Sequence, residues 1–306
     1  MIKTVWEDAK RQFQYGNTVI QLILVNTAVF LVVVLMSAIF YLAFLGDTSI
    51  IDTAVKWFMV PGSPSGLIWK PWSLFSYMFL HKGLLHFAMN MYLFFIYGRI
   101  FQDFLGTRKV LPLYILGGLA GVIMYWLTGL LGFPSAGMLG ASAAIWAVVM
   151  GATVLRPDYI LNLIFIGPVK LKYITLVLML LTIIAIPGLN TGGEMAHIGG
   201  MIMGWLFIYL LQNGTDLSIS FNRIWDPIAN AFSGLLGSMP SGGRAPKHNP
   251  HMHVVKTKRY QDDRKNQEAQ SKQERVDEIL DKINDSGYGS LTDDEKDFLA
   301  EAGEDK

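Results

Sequence analysis

The chain has 306 residues, of which 52% are hydrophobic and 16% charged, well under the roughly 25% charged content of a soluble domain. That balance marks a membrane protein, and a formal net charge of +1 gives no electrostatic reason to expect nucleic acid or an acidic substrate as partner. The absence of cysteine excludes disulfides, thiolate metal sites and a cysteine nucleophile.

Residues 1–19 place Val5, Trp6, Ala9 and Phe13 near one helical face beside Lys10 and Arg11. This is the pattern of a short interfacial helix, and a solvated N-terminal helix fits it equally. Six apolar segments follow in residues 20–212: Ile20 to Leu45, Gly83 to Phe104, Val110 to Leu131, Met138 to Leu155, Leu171 to Pro187 and Ala196 to Gln212. A helix needs about 20 apolar residues to cross a ~30 Å hydrocarbon core, so the expected fold is an all-α polytopic membrane bundle of six transmembrane helices. The first segment is too long for the apolar core of a signal peptide and reads as a retained span.

An even number of spans puts both termini on one side. Lys3, Lys10, Arg11, Arg108, Lys109, Arg156, Lys170 and Lys172 collect there. The opposite side has Lys56, Lys70 and Lys82 in the long first loop and nothing basic in "GFPSAG" or "GLNTGGE". Cytoplasmic loops carry the basic excess, so both termini are expected to be cytoplasmic.

Residues 213–270 read as a flexible linker, because "SGLLGSMPSGGRAPKHNPHMHVVK" is rich in Gly, Pro and Ser. Its His248, His251 and His253 lack a rigid scaffold, so no metal site is expected. In residues 271–306, Ser271 with Glu274 and Thr292 with Glu295 read as capping boxes. They head two short helices, a small polar-tailed hairpin with too little apolar face for an independent core.

Polar side chains inside spans are costly and tend to face protein or water. With the N-terminus inside, the second, fourth and sixth spans all start on the outer side. Each starts with polar residues: "HFAMN", "GAS" and "EMAHIGG". His86, Asn90, Ser142 and His197 are therefore expected at similar depth. Singly, each has a plain structural account. A lone serine in a span usually bonds the carbonyl one turn back, His86 and Asn90 share a face and can bond neighbouring helices, and His81 can order its loop. The shared level is what favours a site. Close approach of two spans is encoded separately, by Gly200 and Gly204 in the sixth and by Ala143, Ala147 and Gly151 in the fourth. Gly117 and Gly121 in the third read as packing positions only.

A serine beside a histidine is the minimal unit of nucleophilic acyl transfer: the imidazole takes the hydroxyl proton and returns it to the leaving amine. No Asp or Glu lies deep in a span to orient His197, so an Asp-completed triad is not expected. Trp146, one turn from Ser142, is expected to stack on the imidazole instead. The oxyanion of the tetrahedral intermediate needs donors. Ser142 N–H at a helix start and the side chains of His86 and Asn90 are the candidates.

With "HFAMN", "GAS" and "AHIGGMIMG" in this order on the second, fourth and sixth spans, the chain resembles the rhomboid intramembrane serine proteases over about residues 20–212. Trp72 and His81 also match that family's long first loop. The resemblance implies a six-span core with Ser142 as nucleophile, His197 as base, and His86 and Asn90 at the oxyanion. It implies substrates that are transmembrane helices of single-span proteins, cut near the outer membrane boundary, with the lipid bilayer as surroundings, no cofactor, and a bacterial plasma membrane as location. The chain departs from the family at Ala143, Ser73, Gln102 and Trp146, where Gly, Arg, Glu and Tyr are usual; Ser73 bears on the anchoring of the first loop. A non-cleaving relative would lack Ser142 or His197. A transporter would show internal repeats or intramembrane carboxylates. Aspartyl and metalloprotease signatures do not occur.

Overall fold

The computed structural model describes residues 17–133, 136–163, 166–188, 190–235, 276, 278–283 and 288–304. The expected interfacial helix, the Gly/Pro-rich stretch and the Ser271 cap lie outside the described residues. The chain divides into two compact units, Met1–Gly242 and Gly243–Lys306.

In the first unit, Asn17 Oδ1 accepts the Ile20 N–H at 2.9 Å and starts α1, Thr18–Ala43. This is the usual asparagine cap on an orphan first-turn donor. The long first loop then holds α2, Ser49–Phe58. Next come α3, Leu84–Leu105, and α4, Val110–Leu130, joined by a tight turn at Gly106. After them run α5, Ser142–Leu155, α6, Leu171–Ala185, and α7, Thr191–Gln212. The protein is an integral membrane protein with a mostly helical bundle.

Of the six apolar segments, four form helices long and apolar enough to cross a membrane: Thr18–Ala43, Leu84–Leu105, Thr107–Leu130 and Thr191–Gln212. Helices α5 and α6 are apolar but have only 14 and 15 residues, about 21–23 Å at 1.5 Å per residue. The fourth segment is shortened because Met138 pairs with Val60 in an antiparallel bridge and Gly140 has φ 127°, which breaks the helix in front of Ser142.

Three elements differ from expectation, two strands from the all-α fold and one helix from the expected linker. Strands β1, Ile160–Leu163, and β2, Gly167–Lys170, pair antiparallel between α5 and α6 with Ile160 opposite Lys170. Residues 213–235 begin the expected linker, yet α8 spans Leu217–Leu235. The Gly/Pro-rich composition starts only near its end and does not reach back to Gln212. The start of α8 is tied to the α3–α4 turn. Lys109 Nζ pairs with Asp216 and reaches Ser218 Oγ at 3.2 Å, and Asn222 Nδ2 donates to the Arg108 carbonyl.

The centre of the unit is a seam of small residues where α4, α5 and α7 meet. A Cβ on Gly200 or Gly204 would collide with the carbonyl oxygens of Ala143 and Ala147, and one on Gly117 or Gly121 with the side chains of the same two alanines. Small side chains let helix backbones approach closely. The two alanines of α5 are thus held from both sides.

The first loop is anchored despite Ser73. That serine is fully buried and its Oγ donates to the Lys70 carbonyl at 2.6 Å. Trp72 Nε1 donates to the Trp57 carbonyl at 3.0 Å, with the two indoles stacked at 6.3 Å. Tyr77 donates to the Gly118 carbonyl at 2.7 Å, Tyr114 to Met78 at 2.9 Å and Trp126 to Pro61 at 2.9 Å. Gln102 Oε1 accepts the Val19 N–H at 3.4 Å, satisfying another first-turn donor of α1.

In the second unit, α9 covers Asp293–Glu304. Glu295 Oε2 accepts the Thr292 N–H at 2.7 Å and Thr292 Oγ1 receives the Glu295 N–H at 3.4 Å, the expected capping box. Lys282, from the helical residues 278–283, grips the same carboxylate at 2.8 Å.

Candidate active site

Ser142 is the first residue of α5. Its backbone is aimed by the residues before it: Gly140 N–H donates to the Tyr77 carbonyl at 2.9 Å, and the positive φ of Gly140 turns the chain into the helix. Such a φ is costly for any residue with a Cβ. A Cβ there would also lie 3.3 Å from His86 Cε1 and 3.5 Å from Ser142 Oγ. The His86 imidazole and the Ser142 hydroxyl therefore border the same space above Gly140.

His197 sits in the second turn of α7. Because Gly200 and Gly204 seat α7 on the carbonyls of Ala143 and Ala147, the two backbones come close enough for the side chains to meet, and His197 Nε2 lies 2.7 Å from Ser142 Oγ. That is a strong hydroxyl–imidazole hydrogen bond. It has the geometry for proton transfer from Oγ–H to Nε2. The N–H groups at the start of α5 have no acceptor within the helix and sit at its positive end, beside the hydroxyl.

The other expected residues lie nearby in less direct arrangements. Asn90 is buried, and its Nδ2 donates to the His86 carbonyl in the same helix at 3.0 Å. Among the described residues no hydrogen bond joins Ser142 to His86 or Asn90. Trp146 is buried one turn from Ser142, but it does not lie flat on the imidazole. The ring centroids are 6.2 Å apart and the planes inclined by 38°, a tilted contact within the range of aromatic pairs. His81 packs edge-on against His86 at 5.5 Å and Phe87 at 5.3 Å. Among the described residues no group of three His, Asp or Glu side chains is placed to hold a metal.

One residue in the site was missed by sequence reasoning. Glu194 Oε2 lies 3.1 Å from His197 Nδ1, so the imidazole does have a carboxylate on its far side. The sequence places Glu194 three residues before His197, and the segment "EMAHIGG" displays it. A carboxylate deep in a span is what the sequence reading looks for, and Glu194 stands at the head of one. The helix begins at Thr191, which puts Glu194 in its first turn, on the same face as His197.

Residues 69–214 match the family model of the rhomboid domain, and residues 261–304 match that of a family of unknown function (DUF6576). No curated protein matches the chain.

Proposed function

Since the chain is a rhomboid family protein, a family of intramembrane serine proteases, we propose that it is a serine endopeptidase that hydrolyses peptide bonds in or beside transmembrane helices of single-span proteins. The observation that carries this reading is the 2.7 Å contact between Ser142 Oγ and His197 Nε2. In the reaction, Oγ attacks the scissile carbonyl carbon while Nε2 takes its proton. The C–N bond then breaks as the proton passes to the leaving amine. A water deprotonated by the same nitrogen hydrolyses the acyl-enzyme.

The oxyanion is taken by the Ser142 N–H at the positive end of α5 and by the side chains of His86 and Asn90. Asn90 Nδ2 uses one of its two N–H donors on the His86 carbonyl and keeps the second to contribute. Trp146 limits the swing of the His197 ring. The core spans residues 20–212 with α5 and α6 as its two short membrane helices, making six spans. Both termini face the cytoplasm of a bacterial inner membrane. Substrate helices are opened by small, helix-weakening residues, because a continuous helix keeps its carbonyls inside its own hydrogen bonds.

The test uses the full chain in proteoliposomes with a single-span substrate. Ser142→Ala and His197→Ala are each expected to lower cleavage about a thousandfold or more, and Ser142→Ala to abolish labelling by a fluorophosphonate. Equal cleavage by both variants and the parent would overturn the proposal.

A further inference from the structure

We propose that Glu194 is a positioning residue for His197, making a chain Ser142–His197–Glu194 in place of a bare serine–histidine pair; this rests on the serine-protease reading above. Three observations carry it. Nδ1 of His197 faces Glu194 Oε2 at 3.1 Å while Nε2 faces Ser142 Oγ at 2.7 Å, so the imidazole is engaged on both nitrogens. The two side chains are 17% and 18% exposed, which keeps the pair largely out of bulk water and weakens its screening. Both residues belong to the first two turns of one helix. That helix is seated on α4 by Gly192 against Tyr125 and by Gly199 against the Ala120 carbonyl. The carboxylate is therefore held relative to the ring by helix geometry and not by a loop.

A carboxylate can only accept a hydrogen bond. Opposite Nδ1 it keeps the ring proton there and leaves the Nε2 lone pair for Oγ–H, the tautomer that a general base needs. As Nε2 gains the hydroxyl proton, the ring becomes cationic beside a full negative charge. The contact is then stronger in the transition state than in the ground state, which is the condition for accelerating the step. An acidic residue in the first turn of a helix also favours the helix dipole, and that purely structural role predicts no effect on the imidazole.

The experiment compares the full-length parent, Glu194→Gln and Ser142→Ala in lipid vesicles. It reads kcat and KM on a single-span substrate and the tautomer of His197 by nitrogen-15 NMR of histidine-labelled protein, with His197→Gln used to assign the signal. The proposal expects the Nδ1–H tautomer in the parent, a mixed tautomer in Glu194→Gln, and a kcat lower by about 10- to 100-fold with KM unchanged. An Nε2–H tautomer in the parent overturns it. So does a Glu194→Gln variant with parental kcat, or one whose kcat falls without any change in tautomer. If the parent and Ser142→Ala cleave equally slowly while the tautomer still responds to Glu194→Gln, the protease reading fails and the Glu194 contact stands. Should Glu194→Gln not fold, Glu194→Ala is measured in the same way, with its thermal unfolding as control.

Discussion

Helices α5 and α1 are both apolar and neither contains a charged residue, yet they are built for different neighbours. Helix α5 has four alanines and a glycine among its 14 residues and is buried almost all round, with Ala143, Ala144, Ala147, Val148 and Ala152 inside the bundle. Helix α1 has no glycine in 26 residues and carries Val, Leu, Ile and Phe along its length. Only 17% of its most apolar window is buried, and Leu31, Val32, Leu35 and Leu42 project outward. Hydrophobicity alone does not separate protein-facing from lipid-facing helices. Side-chain size does, because burial among helices in lipid is won by close packing and not by escape from water.

The largest loss is expected where the seam is enlarged. Gly200→Val adds a branched Cβ that collides with the Ala143 carbonyl oxygen. It is expected to destabilise the protein by about 3 kcal/mol in thermal or denaturant unfolding in detergent, and to abolish fluorophosphonate labelling of Ser142 by moving His197 away. Parental stability and labelling would mean that the seam does not set the site.

A middle-sized effect is expected at the edge of the bundle, where Asp216 meets Lys109. Burial alone would raise the Asp216 carboxyl, but the Lys109 ammonium and Ser218 outweigh it and hold the group below its ordinary range. The stabilisation is therefore present above the unfolded-state pKa of about 3.9 and is lost as pH falls through the lower folded value. Asp216→Asn should cost roughly 1 kcal/mol at neutral pH and flatten the acid side of the stability profile. An unchanged profile would show that the pair is not formed.

The smallest effect belongs to α1. Leu35 is 59% exposed, and Leu35→Ala should change stability by about 0.5 kcal/mol or less and leave the proposed cleavage intact. A large loss would reassign that face from lipid to a protein partner.

Much of this was legible in the sequence. Long apolar runs mark the helices to within a few residues, and the small-residue spacing of Gly200, Gly204, Ala143 and Ala147 anticipates the seam. Polar residues at the starts of three segments anticipate the meeting of Ser142 with His197, because equal depth follows from chain direction. What stayed hidden depends on boundaries and on contacts distant in sequence. Glu194 stands at the head of its span, in the first turn of α7, where a search for carboxylates deep in the membrane does not look. The shortening of α5 follows from a pairing between Val60 and Met138 that no local pattern announces. Helix α8 was absorbed into its neighbour's composition. The main-chain bonds that tie residues 138–140 to Val60 and Tyr77 of the first loop are likewise not displayed by residue identities.

Those anchors bear on how the protein tolerates change. Residues 138–140 are fixed to the first loop by Val60 N–H on Met138, Met138 N–H on Val60 and Gly140 N–H on Tyr77, at 2.9, 3.0 and 2.9 Å. All three bonds are main-chain to main-chain, so they do not depend on which side chains the loop happens to carry. The location of Ser142 is thereby insulated from mutational drift in the loop's outer surface. That surface is free to vary while the serine stays where it is.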